Sequence, residues 1–163
     1  MKSGQPSRRD LLAAGGALLA IGPALVKAEG PMQPGTRPWF EAYIAAFNAR
    51  DYPVFSSYYA PDVHFFGQAA TLEGAQAVVD FYRRVHARID ENVELLSFVS
   101  GAPTRVAAEI RTTLVAREDW PDFPTGALLR GQRRQSINFA MYDIVAGRFT
   151  RIRSARFRRI ENG

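Results

Sequence analysis

TRVAAEIRTTLVAR, residues 104–117, alternates between two kinds of side chain. Val106, Ala108, Ile110, Thr112 and Leu114 share one face, and Glu109, Arg111, Thr113 and Arg117 the other. A period of two belongs to a strand with one face on a core and the other toward water. The same period continues on both sides. Upstream, Val93, Leu95 and Phe98 read as a strand whose uneven spacing implies an irregularity. Downstream, residues 132–145 and 149–160 read as two more strands joined by a turn at Ala146-Gly147, with Arg151 and Arg153 on the face opposite Ile152 and Ser154. Residues 118–131 hold Trp120, Pro121, Phe123, Pro124 and Gly126, so they form a long loop between strands.

Before about residue 90 the period is helical. Trp39, Phe40, Tyr43, Ile44 and Phe47 form one stripe, predicting an amphipathic helix over about 39–50. Pro53 can open a second helix at its first turn, with Val54, Phe55, Tyr58 and Tyr59 as its apolar side and Ala60-Pro61-Asp62 as its end. Val63 to Phe66 is a strand candidate. After Gly74, a third helix presents Ala75, Val78, Val79, Tyr82 and Val85 together. Helices first and a run of antiparallel strands afterwards is an α+β pattern. The expected fold packs three N-terminal helices on one face of a curved, mostly antiparallel sheet. Between them lies a cone-shaped pocket, a usual place for a small ligand.

The two ends carry different information. Ser7-Arg8-Arg9-Asp10-Leu11-Leu12 is a twin-arginine pattern, followed by an uncharged apolar run to Val26 and by the small residues of Val26-Lys27-Ala28. This is the layout of an export signal over 1–28, and the run is shorter than the ~20 residues that a spanning helix needs. A periplasmic or secreted protein with no stable membrane anchor after cleavage is therefore expected. The 163-residue chain has no cysteine, which suits an oxidising compartment without disulfides and excludes thiolate metal sites. Two histidines, His64 and His86, are too few to predict a metal centre, and no cofactor is expected. Residues 29–38 hold three prolines and read as a linker, leaving 39–163 as one domain. Both lysines fall in the signal, so from residue 29 the charge is 17 Arg against 15 Asp plus Glu. The arginines crowded at 148–159 read as an outer strand face or subunit contact, and no nucleic-acid partner is expected.

Several short motifs then carry a resemblance. Tyr43-Ile44-Ala45-Ala46-Phe47-Asn48-Ala49-Arg50-Asp51, Tyr59-Ala60-Pro61-Asp62-Val63, Glu73-Gly74 and Asp80-Phe81-Tyr82 resemble the SnoaL-like and ketosteroid isomerase-like branch of the nuclear transport factor 2-like superfamily. The resemblance covers nearly all of residues 38–160, and the sheet half matches by strand pattern and by the Gly147-Arg148-Phe149 turn. It implies that Tyr43 is an oxyanion donor, with Tyr59 and Tyr82 linked to it by hydrogen bonds. The carboxylate base of that family falls on Gly67, which cannot abstract a proton. A second donor falls on Asn138 or Phe139. Such folds often dimerise through the sheet, so a homodimer is expected, with Arg151 and Arg153 as possible contributors.

Other residues compete for the place of the missing base. His64 stands three positions before Gly67, and alternation points it the other way unless a bulge intervenes. Asp62 reads as a turn or cap residue. Asp119 and Asp122 lie in the long loop, where Trp120 and Phe123 would cap the pocket. Glu109 and Arg111 read as an ion pair or subunit contact, and His86 as a helix-surface or helix C-terminal residue. Three functional classes remain open. One is a binding module for a small hydrophobic molecule, contacted by Tyr43, Tyr59, Tyr82, Asn138 and Trp120. The second is an isomerase or cyclase using Tyr43, with His64 or a loop acid moving the proton. The third is a non-catalytic dimeric interaction domain. The binding module, which needs no base, is the first of these.

Overall fold

A computed structural model of the chain describes residues 32–160; the expected export signal and the first residues of the linker lie outside them. Helix α1 (Arg37–Asn48) has Pro38 in its first turn, where a missing N–H costs nothing. It ends where Arg50 turns into the left-handed region at φ 58°. Helix α2 (Tyr52–Ser56) starts from Asp51, whose carboxylate accepts the Val54 N–H at 3.1 Å. Strands β1 (Tyr59–Phe66) and β2 (Thr71–Glu73) follow, then helix α3 (Ala75–Arg88), β3 (Ile89–Gly101), β4 (Arg105–Ala116), β5 (Arg133–Val145) and β6 (Arg148–Ile160).

The strands form one sheet in the order β2-β1-β6-β5-β4-β3. Every neighbour is antiparallel except β1 with β6. Register shifts between Leu95 and Ser97, Ile137 and Asn138, and Asp143 and Ile144 bend the strands, so the sheet curves around the helices without closing. The irregularity expected near Phe98 is the first of these.

One boundary differs from the sequence reading. Tyr59 to Asp62 belong to β1 and not to the end of α2, because Tyr59 pairs with Phe149 in the parallel ladder. Pro61 is tolerated there because the register to β6 is interrupted between Tyr59 and His64, so no ladder N–H is demanded of it. Asp62 is accordingly an exposed strand residue and not a cap. The three residues of β2 are too few to show a period, and only pairing with His64–Phe66 defines them.

The core sits between the helices and the concave face. Phe149, fully buried at the start of β6, is its hub: Trp39, Tyr43 and Tyr142 place their rings within 4.9–5.1 Å of it. Aromatic rings of α1 thus meet β5 and β6, while Asn48 ties the helix end to the sheet edge. Its Nδ2 donates to the Val93 carbonyl and its Oδ1 accepts the Val93 N–H, both at 2.8 Å. An amide side chain here stands in for the next strand along the open edge of β3. Asn48→Ala would leave two backbone groups without partners, and its expected cost is about 1–3 kcal/mol by urea denaturation.

Candidate functional site

Alternation places a set of side chains on the concave face. From β4 these are Ile110, Thr112 and Leu114, and from β5 Arg134, Ser136, Asn138 and Tyr142. β3 adds Glu91 and Val93, and β6 adds Ile152, Ser154 and Arg156. Helices α1 and α3 cover them with Tyr43, Phe47, Phe81, Tyr82 and Val85. What remains is a cavity of about 140 Å³ with an apolar body and two polar regions.

The first polar region is a group of phenols facing one carboxylate. The Tyr43 and Tyr59 hydroxyls are 3.0 Å apart, and either can donate. Tyr43 is on the cavity wall and Tyr59 stands behind it. Tyr82 and Tyr142 also line the wall. Burial holds all four phenols well above the ordinary tyrosine range, so near neutral pH they keep their protons and act as neutral donors. The negative charge of Glu91 adds to this at Tyr43, Tyr59 and Tyr82, and at Tyr82 it is the first cause after burial.

Among the described residues, Glu91 is the only acid lining the cavity. It is backed by His86, which is 3% exposed. The His86 Nδ1 lies 3.2 Å from the Tyr52 hydroxyl, and its Nε2 lies 3.6 Å from Glu91 Oε2 with no hydrogen-bond partner. If Tyr52 donates to Nδ1, the remaining ring proton sits on Nε2 and faces the carboxylate. Of the two places the sequence reading allows His86, it holds the helix C-terminal one, in the last turn of α3, and not the surface one. α3 ends immediately before β3 folds beneath it, and Phe47 of α1 packs edge-on against the imidazole at 5.3 Å.

The second polar region begins at Asn138, 2% exposed. Its amide donates to Thr112 Oγ1 at 2.9 Å and Ser136 Oγ at 3.2 Å, and its carbonyl accepts from Gln68 at 2.7 Å. Phe139, the other candidate for this place, points outward. Beyond Asn138 lie Arg134, Arg156 and Thr125.

The cavity is thus floored by a bent antiparallel sheet, roofed by two helices and lined by phenols. Residues 40–152 match the family described as SnoaL-like domain. The chain belongs to that family. Among solved structures, this SnoaL-like domain is similar to a proposed polyketide cyclase from Xanthomonas campestris pv. campestris. That pair is 25% identical with a TM-score of 0.62, over 72% of this chain and 86% of the other. An LEH-like epoxide hydrolase of M. tuberculosis is 16% identical, with a TM-score of 0.58, over 73% of this chain and 80% of that one. A protein of ketosteroid isomerase-like fold from Catenulispora acidiphila, solved in complex with trimethylamine, is 14% identical, with a TM-score of 0.60, over 74% and 85%. The last two likenesses speak for the fold alone, which is the one the sequence resemblance implies. No curated protein matches the chain.

Within the SnoaL-like domain, several expected site residues stand elsewhere. His64 is on the outer face of β1, half exposed, with its ring parallel to Phe66 and its Nε2 3.8 Å from Glu73. It cannot move a proton in the cavity. Trp120 does not line the wall either; it packs at a tilt against Phe123, which does, and carries the Arg88 guanidinium 4.9 Å above its ring. Asp119 accepts the Arg130 N–H at 2.7 Å and shapes the loop, while Asp122 is exposed. Arg111 pairs with Glu94 at 2.7 Å, across the strands and not with Glu109.

Gly67 does reach the cavity wall, and its lack of a side chain has a visible cause. A Cβ there would fall 2.4 Å from Phe65 Cε1 and 2.8 Å from Cζ. The Phe65 ring occupies the space where a side chain at position 67 would begin. Gly67→Asp is therefore expected to displace that ring and destabilise the fold by about 1–3 kcal/mol, without creating a base. Thermal unfolding and an activity assay of the same variant check both halves.

Proposed function

We propose that this SnoaL-like domain is an enzyme of the isomerase or cyclase kind that moves a proton on a small carbonyl compound, with Glu91 as the base. The observation that carries this reading is the one cavity-lining carboxylate among the described residues, beside a buried histidine and facing phenols that retain their protons. Glu91 takes a proton from the carbon beside the carbonyl. The electron pair of that C–H bond moves into the new C=C bond, and the carbonyl π pair moves onto oxygen. The enolate oxygen accepts a hydrogen bond from Tyr82 or Tyr43, the latter supported by Tyr59. Where the substrate has a β,γ double bond, the enolate is a dienolate, and return of the proton from Glu91 to the γ-carbon, with the carbonyl re-formed and the double bond left at α,β, completes an isomerisation. Attack of the enolate carbon on a second carbonyl, with the proton passed to the new alkoxide, completes a cyclisation. His86 is a positioning residue: it touches Glu91 and not the cavity.

The polyketide cyclase description of the Xanthomonas protein supports a carbonyl substrate. A binding module without turnover needs the same cavity and phenols but gives Glu91 no task. The test is fluorescence titration with naphthols of falling pKa, which place an enolate-like oxygen on an apolar body. Affinity should rise with naphthol acidity and fall about tenfold in Tyr43→Phe, the worth of one hydrogen bond to a charged group. No binding by either protein would make the phenols mere core.

A homodimer through the outer sheet face is proposed on separate grounds. Phe139, Met141 and Phe157 are exposed together there, with Phe139 and Phe157 5.2 Å apart. Export by the twin-arginine route is proposed from the sequence pattern at residues 7–12 alone.

A further inference from the structure

Several arginines of the described residues are paired with acids and several are not; three of the unpaired ones stand together. Arg37, Arg50, Arg83, Arg88, Arg105, Arg111, Arg117 and Arg153 each sit against a carboxylate. Arg134, Arg156 and Arg159 have no carboxylate partner among the described residues, and they converge at one end of the cavity. Arg134 and Arg156 line its wall. Arg134 is fixed in place: Nη1 donates to the Thr125 and Gly126 carbonyls at 3.3 and 3.0 Å, and Nη2 to the Ala127 carbonyl at 2.6 Å. Arg159 donates to the same Thr125 carbonyl at 2.8 Å. Gly126 lies between the two guanidiniums, so near that a Cβ there would stand 3.7 Å from one and 3.8 Å from the other. Burial, then the charges of Arg159 and Arg156, make the cationic form of Arg134 harder to hold. Like charges gathered beside a cavity are an electrostatic cost that an anion would relieve.

We propose that the ligand carries a carboxylate, docked on Arg134 and Arg156 at the Thr125–Ala127 end of the cavity. This rests on the reading of the cavity as the substrate site and adds the substrate class: a carbonyl compound with an apolar body and an acid terminus. The planar guanidinium matches a carboxylate in a two-bond fork, and Arg134 is already oriented. The sheet register sets the spacing. Glu91 pairs with Leu114, and Leu114 with Arg134, so the base and the anion subsite stand two strands apart, on the order of 10 Å between backbones. Leu114, Phe81 and Phe123 line the cavity along with them and suit an apolar body. The sequence reading places the C-terminal arginines outside; the alternation that turns Ile152 and Ser154 inward turns Arg156 inward as well.

The test compares two fluorescent probes, 2-naphthol and 6-hydroxy-2-naphthoate, on the folded wild-type protein and on Arg156→Met. Arg134→Met is a second variant, set apart because Arg134 also holds the loop. The carboxylated probe should bind the wild type about tenfold more tightly than 2-naphthol. That advantage should shrink as salt is raised and vanish in Arg156→Met, while 2-naphthol affinity stays within about twofold. Equal affinity of the two probes for the wild type, or an advantage that survives in both variants, overturns the anion subsite and leaves the phenol site standing. Binding of neither probe overturns the cavity reading and the subsite with it.

Discussion

Glu91→Gln is expected to slow proton removal from a bound ketone by about 10²- to 10⁴-fold, the usual contribution of a positioned general base. The amide keeps the size of the carboxylate and loses its basicity. Glu91 is half of a 3.6 Å contact with His86 Nε2, and a Gln oxygen can still face that ring, so the fold should survive. Circular dichroism and the thermal midpoint check this. The same substitution should tighten binding of an anionic naphtholate, because the charge that disfavours negative oxygen near Tyr43 and Tyr82 is gone. Slower exchange with tighter naphtholate binding separates a base from a residue that only shapes the cavity. A structural role would weaken both. His86→Gln, acting through Glu91, should give a smaller loss and shift the pH profile.

The second large effect is on stability in alkali. Tyr43, Tyr59 and Tyr142 are buried and Tyr82 is half-buried with its hydroxyl inward, and this burial raises each phenol above its value in the unfolded chain, near 10. Below that value both states are protonated, and the phenols leave stability independent of pH. Above it the unfolded chain releases protons that the folded chain keeps, so unfolding becomes easier as pH rises. The expected slope is about 1.4 kcal/mol per pH unit for each such phenol, until the folded state itself releases the proton. Urea denaturation at steps between pH ~9 and ~11 measures it, and Tyr142→Phe should lower the slope by about one phenol's share. A flat profile would mean that the hydroxyls reach water in the folded state, and the dry cavity would be lost as a premise.

The sheet was legible because its face toward water keeps charges at alternate positions: Glu109 and Arg111 in β4 repeat the pattern that Arg151 and Arg153 show in β6. Tyr43 was legible from the helical stripe together with the resemblance. The residues that were missed depend on contacts distant in sequence. Tyr59 follows a helical stripe and precedes a proline, and only its pairing with Phe149 makes it a strand residue. His86 sits one turn after Tyr82 on a helix rich in arginine, and its burial comes from Phe47 and Tyr52 of other helices. Glu91 stands beside Asp90 as if both were solvated. Asp90 is, bound by Arg50 and Arg117, which hold its carboxyl below the ordinary range. Yet Glu91 lies two residues before Val93 and four before Leu95, so the strand period alone places it on the cavity face. The family resemblance points to position 67 for the base and carries no signal for Glu91.

The most direct measurement is deuterium incorporation beside the carbonyl of a small cyclic ketone bearing a carboxylate, followed by proton magnetic resonance in heavy water. The account predicts saturable exchange in the wild-type protein, faster than in buffer and lost in Glu91→Gln. Exchange at the buffer rate by a protein that nonetheless binds naphthols would contradict it, leaving a binding module whose cavity carboxylate, Glu91, takes no proton.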